Sequence, residues 1–206
     1  MNLKHYFWYF QKAVPERLCD AIVKYALTHQ PVAAVTGDFK NFNTLNWQQK
    51  KDLNKQRDSN VVWLTDPWIY NEIAPFVRKA NSNAGWNFQI DCAEQCQFTT
   101  YEKDQFYTWH CDGWPEEYKS IDKLNGKIRK LSVTLSLSDP DSYRGGELEF
   151  SFNTNPHLRP RTAICHQILP KGSLVVFPSF VWHRVTPVTE GKRYSLVVWN
   201  CGNNFI

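Results

Sequence analysis

At 206 residues the chain lies at the upper edge of one ordinary domain and is long enough to bury a core without disulfides. Its apolar content of 42% and aromatic content of 15% are typical of a globular protein. The formal net charge of +4 permits an acidic partner without requiring one, and no stretch approaches the ~20 apolar residues of a membrane span.

The six cysteines are scattered, and no secretory leader is recognisable, since the aromatic run 6–10 is too short for a signal core. This pattern favours reduced thiols, and we expect a cytoplasmic protein. We find no internal repeat. We predict a single domain over residues 1–206, in which residues 1–90 supply helical support and a lid segment and residues 91–206 form the β-rich core.

The first half of the chain contains two segments in which apolar residues recur at helical spacing. Residues 6–11 form an aromatic run typical of a strand. Pro15 then stands at a helix start, and the helical spacing continues until His29. Pro67 opens a second helical pattern that extends to about Asn81. The sequence therefore predicts one strand followed by two supporting helices.

The segment between these helices is polar and poorly periodic. Residues 36–60 are rich in Asn, Gln and Lys, and a long irregular stretch in a compact domain is usually disordered or a functional lid. We predict a lid over residues 38–58. Two basic clusters are interpreted as solvated surface rather than as a nucleic-acid-binding stripe: Lys50-Lys51-Lys55-Arg57 and Lys127-Arg129-Lys130.

From residue 86 onward the periodicity changes from helix to strand. Residues 131–138 alternate apolar and polar side chains without a break, which is typical of a half-buried strand. Turn-forming residues follow, and the alternation resumes at 147–150. Further strands are predicted at 97–101, 105–112, 163–168, 173–177, 182–186 and 192–199. Short strands without intervening helices indicate a β-sandwich or a jelly roll.

Three residues of the β-rich half are candidate ligands of one metal ion. His110 and Asp112 are two residues apart, so an extended strand projects both from one face. Alone this pair is weak evidence, because His-x-Asp occurs by chance in many proteins, and a hydrogen-bonded surface histidine is then the favoured interpretation. His183 adds support, since it stands at the start of a predicted strand. Two histidines and one carboxylate are the ligands of non-haem Fe(II) oxygenases, although zinc hydrolases use similar ligands.

Arg193 discriminates between these kinds of metal site. Its planar guanidinium suits a dicarboxylic co-substrate whose far carboxylate needs a fixed partner. Ser195 shares the same strand face and is a candidate second hydrogen-bond donor to that carboxylate. The alternative, a surface charge at a strand edge, is weakened because residues 194–199 are apolar enough for a central strand.

These residues lie in two stretches that resemble a known family. The stretches are His183-Arg184-Val185-Thr186-Pro187-Val188 with Gly191-Lys192-Arg193-Tyr194-Ser195-Leu196, and the spaced set Tyr101, Gln105, Tyr107, His110 and Asp112. They resemble the prolyl 4-hydroxylase-like branch of the Fe(II)/2-oxoglutarate dioxygenases, in particular its bacterial and phage members. The resemblance covers residues 90–200 well and the helical first half loosely.

The resemblance implies a mainly β fold with supporting N-terminal helices (α+β), whose core is a double-stranded β-helix, or jelly roll. It implies that His110, Asp112 and His183 bind Fe(II). It also implies that Arg193 binds 2-oxoglutarate and that Tyr101 helps to hold this co-substrate. Ascorbate is a further candidate cofactor.

The chain departs from the family pattern at two positions. Asp104 stands where the family often has glycine, before the predicted metal strand, and Arg193 replaces the lysine of collagen-type prolyl hydroxylases. The loop after that strand is a candidate lid over the substrate. Its residues Trp114 and Tyr118 are interpreted either as a stacking surface for a proline ring or as side chains that pack beneath the loop.

The activity implied by the resemblance is hydroxylation of a prolyl residue of a peptide or protein, with release of succinate and CO2. A free amino acid or other small metabolite is the alternative substrate. Nucleic-acid demethylation is disfavoured, because relatives with that activity carry a second arginine on the last strand, where this chain has Val197, Val198 and Trp199. A further alternative is a binding module that retains metal but does not catalyse a reaction. The presence of all three metal ligands together with Arg193 argues against it. The sequence leaves the oligomeric state open.

Overall fold

The computed structural model describes residues 3–36, 42–153 and 161–205. Within these ranges the chain forms three α-helices: α1 (Glu16–Ala26), α2 (Trp47–Gln56) and α3 (Pro67–Asn83). The same ranges contain fifteen strands: β1 (Trp8–Phe10), β2 (Val32–Ala33), β3 (Arg57–Asp58), β4 (Asn60–Leu64), β5 (Cys92–Ala93), β6 (Cys96–Tyr101), β7 (Phe106–His110), β8 (Lys127–Ser136), β9 (Tyr143–Gly145), β10 (Leu148–Ser151), β11 (Thr162–Ile164), β12 (Leu174–Pro178), β13 (Trp182–Val185), β14 (Val188–Gly191) and β15 (Arg193–Asn203). None of these helices combines the length and apolar character needed to cross a membrane.

The strands of the described residues build two large antiparallel sheets and one small one. The larger sheet has the order β1-β12-β8-β15-β6-β4-β2, with β5 paired to β15, and the smaller has the order β11-β10-β13-β7-β3. Strands β14 and β9 form a separate pair. Side chains of both large sheets meet in one buried cluster, in which Val175 of β12 and Phe150 of β10 take part. The two sheets therefore pack face to face, and the predicted jelly roll is confirmed.

Helices α1 and α3 cover the outer face of the larger sheet. Ile69, Ile73 and Val77 recur along one side of α3 and share a buried cluster with Phe98 and Leu196 of the sheet. Pro67 occupies the first turn of this helix, where a backbone N–H would have no partner inside the helix. The outer face is thus closed by apolar packing, so that a functional site is left to the space between the sheets.

The predicted elements agree with the structure over most of the chain. The two predicted helices correspond to α1 and α3, and each predicted strand coincides with an observed one. The prediction over 163–168 is wrong in its second half, because β11 ends at Ile164 and a short 3-10 helix follows at His166–Ile168. Strands β2, β3, β4, β5, β9 and β14 were not predicted. All of them except β4 have two to four residues, which carry little readable periodicity.

The prediction of irregular backbone over 36–60 is wrong for residues 47–56, which form α2. Asn46 and Gln49 form a capping box, in which each side-chain oxygen accepts the other residue's backbone N–H at 2.9 Å. Only Leu53 of this helix is buried, so hydrophobic periodicity does not reveal it. Residues 38–41 of the predicted lid lie outside the described residues, and the lid function of the segment stays a prediction.

Candidate metal and co-substrate site

The three candidate metal ligands converge between the two sheets. His110 ends β7 and lies opposite His183 of β13 in the strand register. Asp112 follows directly, and its backbone N–H donates to the carbonyl of Ser179 at 2.9 Å. Asp112 Oδ1 lies 3.6 Å from His110 Nε2, and Asp112 Oδ2 lies 3.5 Å from His183 Nε2. The candidate ligand atoms all lie within 4.8 Å of one another, which is compatible with binding to one ion.

Hydrogen bonds orient both imidazoles toward this common point. His110 Nδ1 lies 2.8 Å from the carbonyl of Thr108, and His183 Nδ1 lies 2.9 Å from the carbonyl of Val181. A carbonyl only accepts hydrogen bonds, so each Nδ1 carries the proton and each Nε2 presents a lone pair. Backbone carbonyls commonly orient metal-binding histidines in this way.

The protonation of the cluster suits a divalent cation. Burial raises the pKa of the Asp112 carboxyl, but the neighbouring His183 and His110 outweigh it and lower that pKa to about 2. Burial and the proximity of His183 hold the pKa of His110 well below its usual value. Among the described residues, Asp112 Oδ2 is buried without a hydrogen-bond partner. An orphaned carboxylate oxygen beside two imidazole lone pairs fits the ligand set of non-haem Fe(II).

Arg193 is buried in the same interior, on the inner face of the larger sheet. The residue is 3% exposed, and its Nη1 donates to Ser195 Oγ at 3.2 Å. No carboxylate of the described residues lies within ion-pair distance of it. Tyr101 lies opposite Arg193 in the register, with its ring centre 5.6 Å from the guanidinium carbon. A buried cation without a carboxylate partner favours an anionic ligand.

The turn before β7 has a backbone conformation that suits glycine, the residue that the family resemblance predicts at the position of Asp104. Asp104 adopts a φ of 68°, in the left-handed region that glycine enters without steric cost. Aspartate is one of the few other residues that visit this region, so the departure from the family pattern leaves the turn intact. Its backbone N–H donates to the carbonyl of Val188 at 2.7 Å, which ties the turn to β14.

A partly buried ion pair that sequence reasoning missed supports the metal-binding segment. Arg129 donates to both carboxylate oxygens of Glu94, at 2.6 and 2.8 Å, and its Nη1 donates to the backbone carbonyl of Asp112 at 3.2 Å. The strand register of β8 with β15 shifts beside Arg129, so that the simple alternation of faces does not predict its direction. No periodicity signal in the sequence reveals this contact.

Replacing Glu94 with alanine is expected to lower the free energy of unfolding by about 2 kcal/mol, because it leaves the Arg129 charge without its partner. The value is below that of a fully buried pair, since the two side chains are 12% and 21% exposed. Urea unfolding measures the change. The matched control is Glu117→Ala, at an exposed position of the loop that follows Asp112. Equal stability of the two variants would contradict the role given to the ion pair.

The two candidate substrate residues lie in different surroundings. Trp114 is 59% exposed in the loop that follows Asp112. Tyr118 donates its hydroxyl to Glu94 Oε1 at 2.9 Å, so its polar end is held by the Glu94–Arg129 pair. The structure brings Tyr118 close to the support of the metal site and leaves Trp114 at the surface. Their part in substrate binding stays a prediction.

A jelly roll that holds two histidines and one carboxylate between its sheets defines a non-haem iron oxygenase architecture. The sequence pattern of the 2OG-Fe(II) oxygenase superfamily matches residues 96–201. The match includes each of the metal-ligand candidates and Arg193. The chain belongs to the 2OG-Fe(II) oxygenase superfamily, and this membership implies Fe(II) and 2-oxoglutarate as its cofactor and co-substrate.

Individual relatives agree with this assignment. The PKHD-type hydroxylase YbiX of Escherichia coli O1:K1 / APEC is 39% identical over 103 residues, which is 50% of this chain and 40% of that protein. The match thus spans less than half the length of this relative. The viral collagen prolyl hydroxylase vCPH of Paramecium Bursaria Chlorella virus-1, in its 2OG complex, has the same fold, with a TM-score of 0.62, 17% identity and 97% of each chain covered.

A second solved structure also shares the fold. The prolyl hydroxylase of Trichoplax adhaerens, in complex with a hypoxia inducible factor oxygen degradation domain peptide fragment, has a TM-score of 0.62 and 14% identity. The similarity covers 96% of this chain and 84% of that one. Sequence identities this low establish the common architecture alone.

Proposed function

We propose that the protein is an Fe(II)- and 2-oxoglutarate-dependent dioxygenase that hydroxylates a prolyl residue of a peptide or protein. One oxygen atom of O2 would enter the substrate C–H bond as hydroxyl, and the other would enter succinate as 2-oxoglutarate loses CO2. The observation that carries this proposal is the His110–Asp112–His183 cluster, which lies in the same interior as the buried guanidinium of Arg193. No carboxylate of the described residues pairs with that guanidinium.

Each group in this interior has a separate task in the proposed reaction. His110, Asp112 and His183 would hold Fe(II) from one side and leave its other positions open for 2-oxoglutarate and O2. Bound Fe(II) would supply the redox chemistry that couples decarboxylation of 2-oxoglutarate to oxidation of the substrate. Arg193 and Ser195 would bind the far carboxylate and thereby orient the keto acid. The apolar walls of the jelly roll would exclude water from the reaction.

An exposed tryptophan of the larger sheet would offer a peptide an aromatic surface. Trp63 is 43% exposed, and its ring centre lies 6.0 Å from that of the buried Trp199. Among the described residues, the indole N–H of Trp199 is buried without a hydrogen-bond partner. One solved structure of the same fold, a prolyl hydroxylase in complex with a peptide fragment, supports the same substrate class.

Several finer predictions accompany this proposal and stay predictions. They are the use of ascorbate as an additional cofactor, the cytoplasmic location, the single-domain organisation, and stacking of Trp114 or Tyr118 on the substrate. A free amino acid or other small metabolite remains the alternative substrate.

The proposal is tested by following succinate formation with added Fe(II), 2-oxoglutarate and O2, first without a primary substrate and then with a panel of proline-containing peptides. We expect slow turnover alone and stimulation by at least one peptide that gains one oxygen atom by mass spectrometry. Absence of any turnover would contradict the enzyme proposal. Turnover that no peptide stimulates, but that a free amino acid does, would favour the small-molecule alternative.

A further inference from the structure

Arg57 is a second buried guanidinium for which the proposed reaction has no use. The residue is 6% exposed, so the prediction that it belongs to a solvated basic cluster is wrong. The cause is a change of backbone conformation. Helix α2 ends just before Arg57, and Arg57 begins β3, whose pairing with β7 directs the Arg57 side chain inward. The lysines that precede it on α2 hide this change in the sequence.

The neighbours of Arg57 hold it without neutralising it. Its Nε donates to Ser59 Oγ at 2.8 Å, and its Nη2 donates to Gln97 Oε1 at 2.9 Å. Both acceptors are uncharged, and no carboxylate of the described residues lies within ion-pair distance. The adjacent Asp58 instead accepts a hydrogen bond from Gln105. Of the five guanidinium N–H groups, two are therefore accounted for within the described residues.

Arg57 lies beside the metal cluster and apart from the pocket of Arg193. Its guanidinium carbon is 4.6 Å from the ring centre of Tyr107, and that ring stacks on His110 with centres 3.4 Å apart. Its partner Gln97 lies opposite Val197 in the register, four residues along β15 from Arg193. Four residues of strand span about 13 Å, so the backbone positions of Arg193 and of the residue opposite Gln97 lie well apart on the larger sheet.

The groups named in the proposed reaction leave Arg57 without an anionic partner. Arg129 is already paired with Glu94. Asp112 would bind Fe(II), and the far carboxylate of 2-oxoglutarate would bind Arg193. A buried guanidinium without an anionic partner is costly, and it therefore favours an anionic ligand.

Resting on the proposed function, we propose that Arg57 is a specificity-determining residue that binds a carboxylate of the primary substrate. The substrate class is thus narrowed to molecules with an anionic group near the carbon that is hydroxylated. Two sources share this chemistry: the α-carboxylate of a free amino acid, and an acidic side chain next to the target residue of a peptide. Ser59 and Gln97 fix the plane of the guanidinium so that its remaining N–H groups can bind such a carboxylate.

The test compares substrates that differ only in this charge. One pair is L-proline and L-prolinamide, and the other is a proline-containing peptide with either Glu or Gln next to the proline. The readout is kcat/KM for succinate formation above the substrate-free rate. In at least one pair we expect the carboxylate-bearing member to be favoured by about tenfold or more in the wild type, as for a charge-assisted hydrogen bond. The pair that shows the preference identifies the source.

Variants then assign the preference to Arg57. Arg57→Gln is expected to bring the ratio within a pair close to one, and Arg57→Lys, which keeps the charge without the planar fork, to retain part of it. Lys55→Gln removes an equal charge from the exposed face of α2 and is expected to retain the full ratio. Thermal unfolding of each variant identifies any that does not fold. In that case the Arg57→Lys ratio decides, since an undiminished preference there overturns the proposal.

The outcomes separate this inference from the proposed function. Absence of substrate-free turnover in the wild type would mean that the enzyme proposal itself fails. Turnover without a carboxylate preference in either pair, including the case in which no probe stimulates, overturns the role of Arg57 alone. A preference that persists in Arg57→Gln overturns it as well.

Discussion

Replacing His183 with alanine is expected to reduce succinate formation by at least about 1,000-fold and to abolish tight Fe(II) binding. Loss of a group that merely orients a ligand typically costs 10–100-fold, and loss of a ligand itself should cost more. The remaining His110 and Asp112 cannot occupy three adjacent positions around the ion. Anaerobic calorimetric titration with Fe(II) measures binding independently of turnover.

The matched control is His166→Ala, which removes an exposed histidine from the short 3-10 helix after β11. It is expected to retain wild-type Fe(II) affinity and turnover. Asp112→Asn is expected to resemble His183→Ala, because it replaces the orphaned carboxylate oxygen by an amide group. Fe(II) affinity within tenfold of the wild type in both site variants would show that this cluster is not the metal site.

Replacing Arg193 with leucine is expected to weaken 2-oxoglutarate binding by about 100-fold, because the variant leaves the far carboxylate without its charged partner. The free energy of unfolding without 2-oxoglutarate should fall by no more than about 1 kcal/mol. The reason is that the guanidinium is buried without a carboxylate partner among the described residues. The substitution therefore removes little ion-pair energy. Titration with 2-oxoglutarate and urea unfolding measure the two quantities.

Arg17→Leu on the exposed face of α1 is the control for the loss of one positive charge, and it should bind 2-oxoglutarate as the wild type does. The affinity of Arg193→Lys for 2-oxoglutarate should lie between that of Arg193→Leu and that of the wild type, since lysine supplies the charge without the bidentate fork. If Arg193→Leu binds 2-oxoglutarate with unchanged affinity, Arg193 is not the co-substrate residue. If it unfolds at a much lower urea concentration, its guanidinium is structural.

The sequence carried strong signals wherever structure follows from neighbours along the chain. Helix α3 begins at a proline and has apolar residues at helical spacing, and β8 alternates over its central residues. The proximity of His110 and Asp112 was also predictable, because it needs only the two-residue repeat of an extended strand. That His183 would join them, and that Tyr101 would bind the same co-substrate as Arg193, was implied by the resemblance rather than by any local rule. The strand registers that place His183 opposite His110 and Tyr101 opposite Arg193 were not predicted.

Helix α2 shows where local signals were insufficient. Its polar composition resembles that of a loop, and its capping box at Asn46 and Gln49 is a short signal that lies outside any amphipathic pattern. The neighbouring Arg57 looked like one more surface charge for the same reason. Its burial depends on the pairing of β3 with β7 and on contacts with Gln97, which is remote in sequence.

The sequence by itself determined which segments alternate, which residue types can bind a cation, and which superfamily the chain resembles. Those properties depend on side-chain chemistry and on repeats of two to four residues. Only the tertiary structure decided which charges are buried and what faces them, including Arg57, the Glu94–Arg129 pair and the carboxylate-free Arg193. The reason is physical: the energy of a charge depends on neighbours and dielectric surroundings that are set when the two sheets pack together.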